Sequence, residues 1–192
     1  MKKIAFVTGM TGQDGPYLAK HLLENEYKVY GLVKRYSNPN LTNLNYLGIE
    51  NDVELITGDI TDDANMNHLV RTIRPNEFYN LAAQSFVGAS WELNKQTTEV
   101  NAMGVLNVLN AIVNQNPTTK FYQASTSELY GNANVEGVQD EHTPFHPRSP
   151  YGVSKLYAYW MTVNFRESYS IHASNGIPVS YTHLTLPTSV MV

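Results

Sequence analysis

Residues 4–15 read IAFVTGMTGQDG. The opening part of this segment, residues 4–8, is a short apolar run that indicates a buried β-strand. A turn with three glycines follows at once, and a helical pattern then runs from residue 17 to residue 25. Glycines in a strand-to-helix turn let the backbone approach a pyrophosphate, whose charge is stabilised by free N–H groups at the helix N-terminus. The turn therefore predicts a dinucleotide site formed by Gly9, Gly12, Gln13, Asp14 and Gly15; the alternative is a tight turn that binds nothing.

The rest of the chain alternates short apolar runs with amphipathic stretches. The runs lie at residues 29–33, 53–57, 77–81 and 121–124, and the helical stretches lie at 17–25, 64–73, 99–113 and 151–169. Nearly continuous apolar runs are typical of strands that are covered on both faces. We predict an α/β fold with a Rossmann-type doubly wound parallel sheet. Residues 130–150 lack an apolar period and contain Pro144, Pro147 and Pro150, which predicts one long surface loop beside a site.

Composition excludes several classes of protein. A chain of 192 residues without cysteine has neither disulfides nor thiolate metal sites, and it is long enough to bury a full core. The net charge is −4 and no basic block is present, so we expect no nucleic-acid partner. No apolar run approaches the length of a membrane span or a signal segment, so we expect no membrane partner and a cytoplasmic location. We also expect no metal site, because the prolines around His142 and His146 exclude a helical ligand pair.

The end of the second strand bears on the type of dinucleotide. A carboxylate there binds the ribose 2′-hydroxyl of NAD, whereas this chain has Lys34 and Arg35, which favours the 2′-phosphate of NADP. Two solvated cations are the alternative interpretation. After the third strand, Asp59 and Ile60 are placed to meet the adenine, although Asp59 is equally suited to cap the helix that begins near Asp62.

Two groups of residues predict the chemistry. Tyr151 and Lys155 are four residues apart in a helical stretch, so they share one face, and a nearby ammonium would lower the pKa of the phenol so that it can act as a base. Thr126 and Glu128 follow the fifth strand directly, at the sheet edge where such folds place their chemistry. The Thr126 hydroxyl is suited to bind a reacting oxygen, and Glu128 to remove a proton from carbon. A Ser/Thr-rich loop with a capping glutamate is the alternative for this second group.

These motifs together resemble the GDP-mannose 4,6-dehydratases, a family of extended short-chain dehydrogenase/reductases. The resemblance extends over nearly all of residues 3–177, and its matching stretches are 8–15, 81–85, 125–128, 148–152, 164–169 and 175–177. The Gly-Gln-Asp-Gly turn and the Ser-Thr-Ser-Glu loop are the most specific of them. The related dTDP-glucose dehydratases carry Asp-Glu in place of Ser-Glu, and C4 epimerases lack that glutamate.

The resemblance implies a hydro-lyase that converts GDP-mannose to GDP-4-keto-6-deoxymannose by internal, NADP-mediated hydride transfer and loss of water. Tyr151 would deprotonate the C4 hydroxyl, Glu128 would remove the C5 proton and Thr126 would position the C4 oxygen. Lys155 would hold the nicotinamide ribose. The resemblance also implies that further residues line the cofactor, namely Leu81, Ala82, Ala83, Gln84, Ser85 and Gln96.

The resemblance ends after Ile177, where the chain continues as PVSYTHLTLPTSVMV. We expect residues 1–177 to form an NADP-binding Rossmann domain that carries the catalytic residues. Residues 178–192 resemble a translated sequencing adapter, a non-native tail, and most of the C-terminal substrate domain is expected to be missing. The chain alone is then expected to be inactive, and the complete protein to be a dimer or tetramer. Two other functions stay open, an NADP-dependent nucleotide-sugar epimerase or reductase and a non-catalytic nucleotide-binding module.

Overall fold

The computed structural model describes residues 2–34, 40–131 and 139–178, which contain one six-stranded parallel sheet. The strands are β1 (Ile4–Thr8), β2 (Lys28–Val33), β3 (Glu54–Thr57), β4 (Glu77–Asn80), β5 (Lys120–Ala124) and β6 (Ala173–Gly176). The α-helices are α1 (Asp14–Glu24), α2 (Thr42–Tyr46), α3 (Asp63–Ile73), α4 (Asn94–Thr98), α5 (Gly104–Gln115) and α6 (Pro150–Tyr169). A π-helical turn, Glu99–Met103, joins α4 to α5. The predicted doubly wound parallel fold is confirmed.

The strand order determines where a ligand can bind. The order is β3-β2-β1-β4-β5-β6, so the chain moves outward in one direction from β1 and then returns to build the other half from β4. The loops after β1 and β4 diverge to opposite sides at this reversal. Open parallel sheets bind their ligands in the resulting crevice at the carboxyl ends of the strands.

Separate apolar cores cover the two faces of the sheet. On one face, Phe6, Phe78 and Phe121 lie in register on β1, β4 and β5, and they pack beneath α3, α5 and α6. The Phe6 and Phe78 rings meet edge to face with centroids 4.9 Å apart, a favourable geometry for aromatic pairs. The second core packs Ala5 and Val7 of β1 against α1 and α2. Burial on both faces explains the continuous apolar runs in the strand sequences.

Several elements differ from the sequence predictions, and the short helices α2 and α4 were not predicted. Helix α1 begins at Asp14 rather than at residue 17, because a first turn accommodates Pro16. The predicted helix 99–113 is wrong as a continuous α-helix, since its first residues form the π-helical turn. Strand β6 was not predicted, because the sequence Ala-Ser-Asn-Gly has no apolar run and is a strand through its pairing with β5. The predicted surface loop is irregular where it is described, and residues 132–138 of that loop lie outside the described part.

No helix within the described ranges is both long enough and apolar enough to cross a bilayer.

Candidate active site

A cavity of about 820 Å³ lies at the carboxyl edge of the sheet, between the turn after β1 and the loops after β2, β3 and β4. Most of the residues predicted to bind the cofactor line it: Gly9, Gly12, Gln13, Asp14, Gly15, Lys34, Asp59, Ile60, Leu81, Ala82, Ala83, Gln84, Ser85 and Gln96. The sequence analysis missed Thr11, Leu32, Val33, Gly58 and Val100, which also line the cavity. Arg35, the other predicted phosphate-binding residue, lies outside the described residues.

The turn after β1 requires glycine at its first position. Gly9 has φ +72°, and a Cβ atom there would lie 2.9 Å from the carbonyl carbon of Leu81. The Gly12 N–H donates to the Gly9 carbonyl at 3.0 Å and closes the turn. No side chain in the described part of the chain caps the first turn of α1, so its free N–H groups face the cavity edge. An uncapped helix N-terminus beside a cavity of this volume fits the diphosphate of a dinucleotide.

Lys34 and Asp59 at the cavity rim pair with each other. Lys34 Nζ lies 3.1 Å from Asp59 Oδ2, with both side chains partly exposed. Asp59 Oδ1 accepts hydrogen bonds from the Thr61 backbone N–H and hydroxyl, at 3.0 and 2.9 Å. Burial raises the pKa of the Asp59 carboxyl, but the Thr61 hydrogen bonds and the Lys34 ammonium outweigh burial and lower it overall.

Asp59 does not cap the following helix. Asp62 is the N-cap of α3 and accepts from the Asn65 N–H at 2.9 Å, so the capping interpretation of Asp59 is wrong. Asp59 instead accepts a hydrogen bond from the Thr61 N–H in a short turn at the cavity edge. At this position its side chain is suited either to contact a ligand or to hold Lys34.

The loop at residues 81–85 is held by buried polar side chains that the sequence analysis did not single out. Thr8 Oγ1 accepts from the Leu81 and Ala82 N–H groups at 3.1 and 3.0 Å. Asn101, in the π-helical turn, accepts from the Gln84 N–H at 2.8 Å and donates to the Gln84 carbonyl at 3.0 Å. The sequence signal for Asn101 was a polar residue four positions before Val105, on an otherwise apolar helix face.

The π-helical turn also helps to hold the loop after β3. Gly104 follows the turn, and a Cβ there would lie 2.8 Å from the Ile60 side chain. Asn107 Nδ2 donates to the Ile60 carbonyl at 3.0 Å. One helical segment therefore fixes two cavity-lining loops, which is consistent with the frequent occurrence of π-turns at functional sites.

The start of α6 places Tyr151 beside the Ser-Thr-Ser-Glu loop. Ser149 caps the helix by accepting from the Gly152 N–H at 3.0 Å, and Pro150 occupies the first turn. A Cβ at position 152 would lie 3.0 Å from the Glu128 carbonyl oxygen, so glycine there permits α6 to begin against the backbone of Glu128. The structure thus brings Tyr151, Thr126 and Glu128 together, with the first two buried and Glu128 exposed.

The expected effect of Lys155 on Tyr151 is wrong for this geometry. Lys155 Nζ donates to the Ala124 carbonyl at 2.9 Å and lies 5.9 Å from the centroid of the Tyr151 ring. Burial raises the pKa of the Tyr151 phenol, a hydrogen bond with Thr126 opposes that rise, and the charge of Glu128 adds to it. Burial also lowers the pKa of Lys155 to about 8. The spacing of four residues placed both groups on one face, but burial has the largest effect on the pKa of the Tyr151 phenol.

The sheet, the glycine turn and the Tyr151–Lys155 helix together define an extended short-chain dehydrogenase/reductase. Among solved structures, dTDP-glucose 4,6-dehydratase DesIV from Streptomyces venezuelae, with NAD and TYD bound, matches with a TM-score of 0.78 and 25% identity. That match covers 92% of this chain and 55% of DesIV.

A narrower family lies within that class. The family model of GDP-mannose 4,6 dehydratase matches residues 6–184, and the chain belongs to this family. The GDP-mannose 4,6-dehydratase of Vibrio cholerae is 49% identical over 184 residues, which cover 92% of this chain and 49% of the relative. The human GDP-mannose 4,6 dehydratase is 47% identical over 187 residues, with the same two coverages. The chain spans about half the length of these curated relatives.

Proposed function

We propose that this chain carries the cofactor site and the catalytic residues of a GDP-mannose 4,6-dehydratase, a hydro-lyase. The observation that carries the proposal is the position of Glu128: its backbone carbonyl lies against Gly152 at the start of α6, and its side chain is exposed beside buried Tyr151 and Thr126. A dehydratase needs a base for a carbon-bound proton in addition to the base for a hydroxyl. Family membership and the names of the relatives support the same reaction.

The cofactor in this proposal is NADP. Gly9, the uncapped start of α1 and the loop at residues 81–85 would hold the diphosphate and the nicotinamide half, and Lys34 would meet the 2′-phosphate. The solved relative DesIV contains NAD, which supports a nicotinamide dinucleotide. The preference for NADP rests on Lys34 and Arg35 at a position where NAD enzymes carry an acid.

The chain's own residues would perform four tasks. Tyr151 takes the proton of the C4 hydroxyl, and Thr126 donates a hydrogen bond to the C4 oxygen. Glu128 removes the C5 proton, which the C4 ketone makes acidic, and returns a proton to the C6 hydroxyl, which leaves as water. The proton that Tyr151 removed balances the one that C5 regains when C6 is reduced. Lys155 would hold the nicotinamide ribose, and a bound cofactor would supply the chemistry of reversible hydride transfer.

The base role of Tyr151 requires a nearby positive charge that favours the phenolate. Its raised pKa means that the phenol is protonated at neutral pH in the chain alone. Lys155, whose own pKa is lowered to about 8, is still mostly an ammonium at neutral pH and is the nearest source of that charge. The proposal therefore includes stabilisation of the phenolate by this ammonium when substrate and cofactor bind.

The alternative enzyme is an NADP-dependent nucleotide-sugar epimerase or reductase. Such an enzyme exchanges hydride at one carbon and needs no base for C5. The Glu128 carboxylate therefore favours dehydration. A non-catalytic nucleotide-binding module is disfavoured because Thr126, Glu128, Tyr151 and Lys155 are all present and close in space.

A chimera tests the proposal. Residues 3–177 replace the matching part of the Vibrio cholerae relative, and the product from GDP-mannose and NADP⁺ is identified by mass spectrometry and NMR. We expect the 4-keto-6-deoxy product, and we expect none from a Tyr151→Phe chimera. The 192-residue chain alone is expected to give no product. Remote groups of GDP supply the binding energy that orients the reacting carbon, and in this proposal they bind mainly to the half of the relative that the chimera adds. A chimera that folds and binds NADP⁺ but yields only C4-epimerised sugar would contradict the proposal.

We also propose that the enzyme is a dimer or tetramer. An apolar cavity of about 690 Å³ lies beside the start of α6 and is lined by residues that include Trp91, Met103, Val153 and Tyr157. These four side chains are at least one-third exposed, which is typical of an interface. Sedimentation of the chimera should show an oligomer that Tyr157→Arg dissociates. A monomeric chimera would contradict this part of the proposal.

A further inference from the structure

We propose that Gln123 is a positioning residue for Lys155, at the end of a buried chain of hydrogen bonds that begins at the loop of residues 81–85. The proposal rests on the proposed function only in assigning a catalytic task to Lys155. The chain of bonds passes through Thr8, Asn80 and Gln123, which lie at or near the carboxyl ends of β1, β4 and β5. All three side chains are 0% exposed.

Each bond in the chain has a defined donor and acceptor. The Leu81 and Ala82 N–H groups donate to Thr8 Oγ1, so the Thr8 hydroxyl proton is directed to Asn80 Oδ1, which lies 2.6 Å away. Asn80 Nδ2 donates to Gln123 Oε1 at 2.8 Å, and Gln123 Nε2 then donates to the Ala124 carbonyl at 2.8 Å. The two backbone donors fix the direction of the bonds, so the amides of Asn80 and Gln123 have one favourable orientation.

The chain ends on the oxygen that also binds Lys155. Ala124 O accepts from Gln123 Nε2 at 2.8 Å and from Lys155 Nζ at 2.9 Å, so the two nitrogens are less than about 6 Å apart. Gln123 thereby holds the carbonyl that anchors the ammonium. Two of the three ammonium protons remain for other partners. The charged and titratable groups that face this corner of the site are Tyr151 on α6 and Glu128 after β5.

Because of this arrangement, a charge introduced at residue 123 should shift the titration midpoint of Lys155. A carboxylate at residue 123 would lie within about 6 Å of Nζ, in a region from which water is excluded. An opposite charge at that distance favours the ammonium strongly. Gln123→Glu changes the side chain with almost no change in shape and retains the acceptor for Asn80.

The experiment is an NMR titration of the 192-residue chain labelled with ¹³C at lysine Cε, with the Lys155 signal assigned by its loss in Lys155→Met. Wild-type Lys155 is expected to titrate near pH 8, well below the ordinary lysine value of 10.5. Gln123→Glu should raise this midpoint by about two pH units. The control is Gln115→Glu, since Gln115 is partly buried and donates to Asn67 of α3, not to a partner of Lys155. The control should leave the Lys155 midpoint unchanged.

A Lys155 midpoint that is equal in Gln123→Glu and in the wild type would overturn the proposal. An equal rise in Gln123→Glu and Gln115→Glu would overturn it as well, because a general charge effect would then explain the shift. If Gln123→Glu does not fold, the wild-type chain decides the question. Nuclear Overhauser contacts between the Gln123 amide protons and the Lys155 Cε protons, with slow exchange of those amide protons, are expected, and their absence contradicts the proposal.

The same sample separates this inference from the proposed function. Addition of NADP⁺ measures cofactor binding, which the titration without ligand does not require. A shifted Lys155 midpoint in Gln123→Glu together with no binding of NADP⁺ would retain the positioning role and reject the proposed cofactor. Binding of NADP⁺ together with an unshifted Lys155 midpoint in Gln123→Glu would retain the proposed cofactor and reject the positioning role of Gln123.

Discussion

The cavity edge near β1 and the cluster around α6 are built in different ways. Near β1, the site consists largely of backbone, with Gly9 in a left-handed conformation, an uncapped helix start and a partly exposed Lys34–Asp59 pair. Around α6, the site consists of the buried side chains of Thr126, Tyr151 and Lys155 beside the exposed Glu128, and burial changes the pKa of both Tyr151 and Lys155. The first region is suited to hold a charged ligand, whereas the second is suited to move protons.

The two regions therefore affect the stability of the fold in different ways. A backbone site is stable once the turn geometry is satisfied, and its side chains remain solvated. A buried cluster places an ammonium away from water, which is unfavourable unless specific groups such as the Ala124 carbonyl compensate for it. Substitutions near β1 should therefore act through backbone sterics, and substitutions around α6 should act through charge and hydrogen bonding.

The largest expected effect comes from glycines in the left-handed conformation. Gly9→Ala combines a strained φ with a backbone clash and should lower the free energy of unfolding by about 3 kcal/mol or more. Gly48 has φ +69°, but a Cβ there would meet no atom within 4 Å, so Gly48→Ala is the matched control and should cost only about 1 kcal/mol. Urea denaturation of both variants makes the comparison. Equal losses of unfolding free energy in the two variants would show that the close approach of Gly9 to Leu81 does not exclude a Cβ atom at residue 9.

The next effect is a rise in stability with pH that depends on Lys155. Its pKa is about 8 in the folded chain, against 10.5 for an ordinary lysine, so the unfolded chain binds more protons between these values. Stability should therefore increase from pH 8 to pH 10 by about 2 to 3 kcal/mol from this group. The raised pKa of Tyr151 acts only near and above pH 10, where it lowers stability. Urea midpoints at pH 8 and pH 10 should differ in the wild type, and Lys155→Met should remove most of that difference.

A smaller effect is expected from the Asn101 contacts with the loop of residues 81–85. Asn101→Ala removes two hydrogen bonds to Gln84 and a longer one to Ser154, and it should cost about 2 kcal/mol of stability and about tenfold in NADPH affinity. Asn116 is the control, since its side chain is also buried and makes two hydrogen bonds, to Pro75 and Thr118. Asn116→Ala should cost similar stability but leave NADPH affinity unchanged. Equal affinity losses in the two variants would assign the effect to general destabilisation.

The smallest effect on stability is expected at the Lys34–Asp59 pair. Partly exposed ion pairs contribute about 0 to 1 kcal/mol, so Lys34→Met should barely change the unfolding midpoint. The same variant should weaken NADP⁺ binding several-fold and leave NAD⁺ binding unchanged, as measured by calorimetry. Tighter binding of NAD⁺ than of NADP⁺ by the wild-type chain would contradict the proposed cofactor.

The sequence predicted the backbone-built region better than the buried cluster. The strand and the glycine turn follow from local patterns, because strand ends and turns determine which groups face the crevice. The cavity-lining residues 81–85 and Gln96 were predicted only from the family resemblance. The π-helical turn and the role of Asn101 depend on contacts with Gln84, a loop residue 17 positions away in the sequence. The helical spacing of Tyr151 and Lys155 was informative about their shared face, but their separation depends on the Ala124 carbonyl, which belongs to β5. Long-range contacts of this kind leave no local pattern.

The central claim, that Glu128 is the C5 base and Tyr151 the C4 base, is tested most directly by deuterium exchange in the chimera. The reaction with GDP-mannose and NADP⁺ is run in D₂O, and deuterium at C5 is measured by NMR in recovered sugar and product. With Glu128 present, we predict 4-keto-6-deoxy product that carries deuterium at C5. With Glu128→Gln, we predict transient NADPH absorbance from C4 oxidation, no loss of water and no deuterium at C5. Undiminished deuterium uptake at C5 in Glu128→Gln would show that another residue removes this proton and would contradict the account.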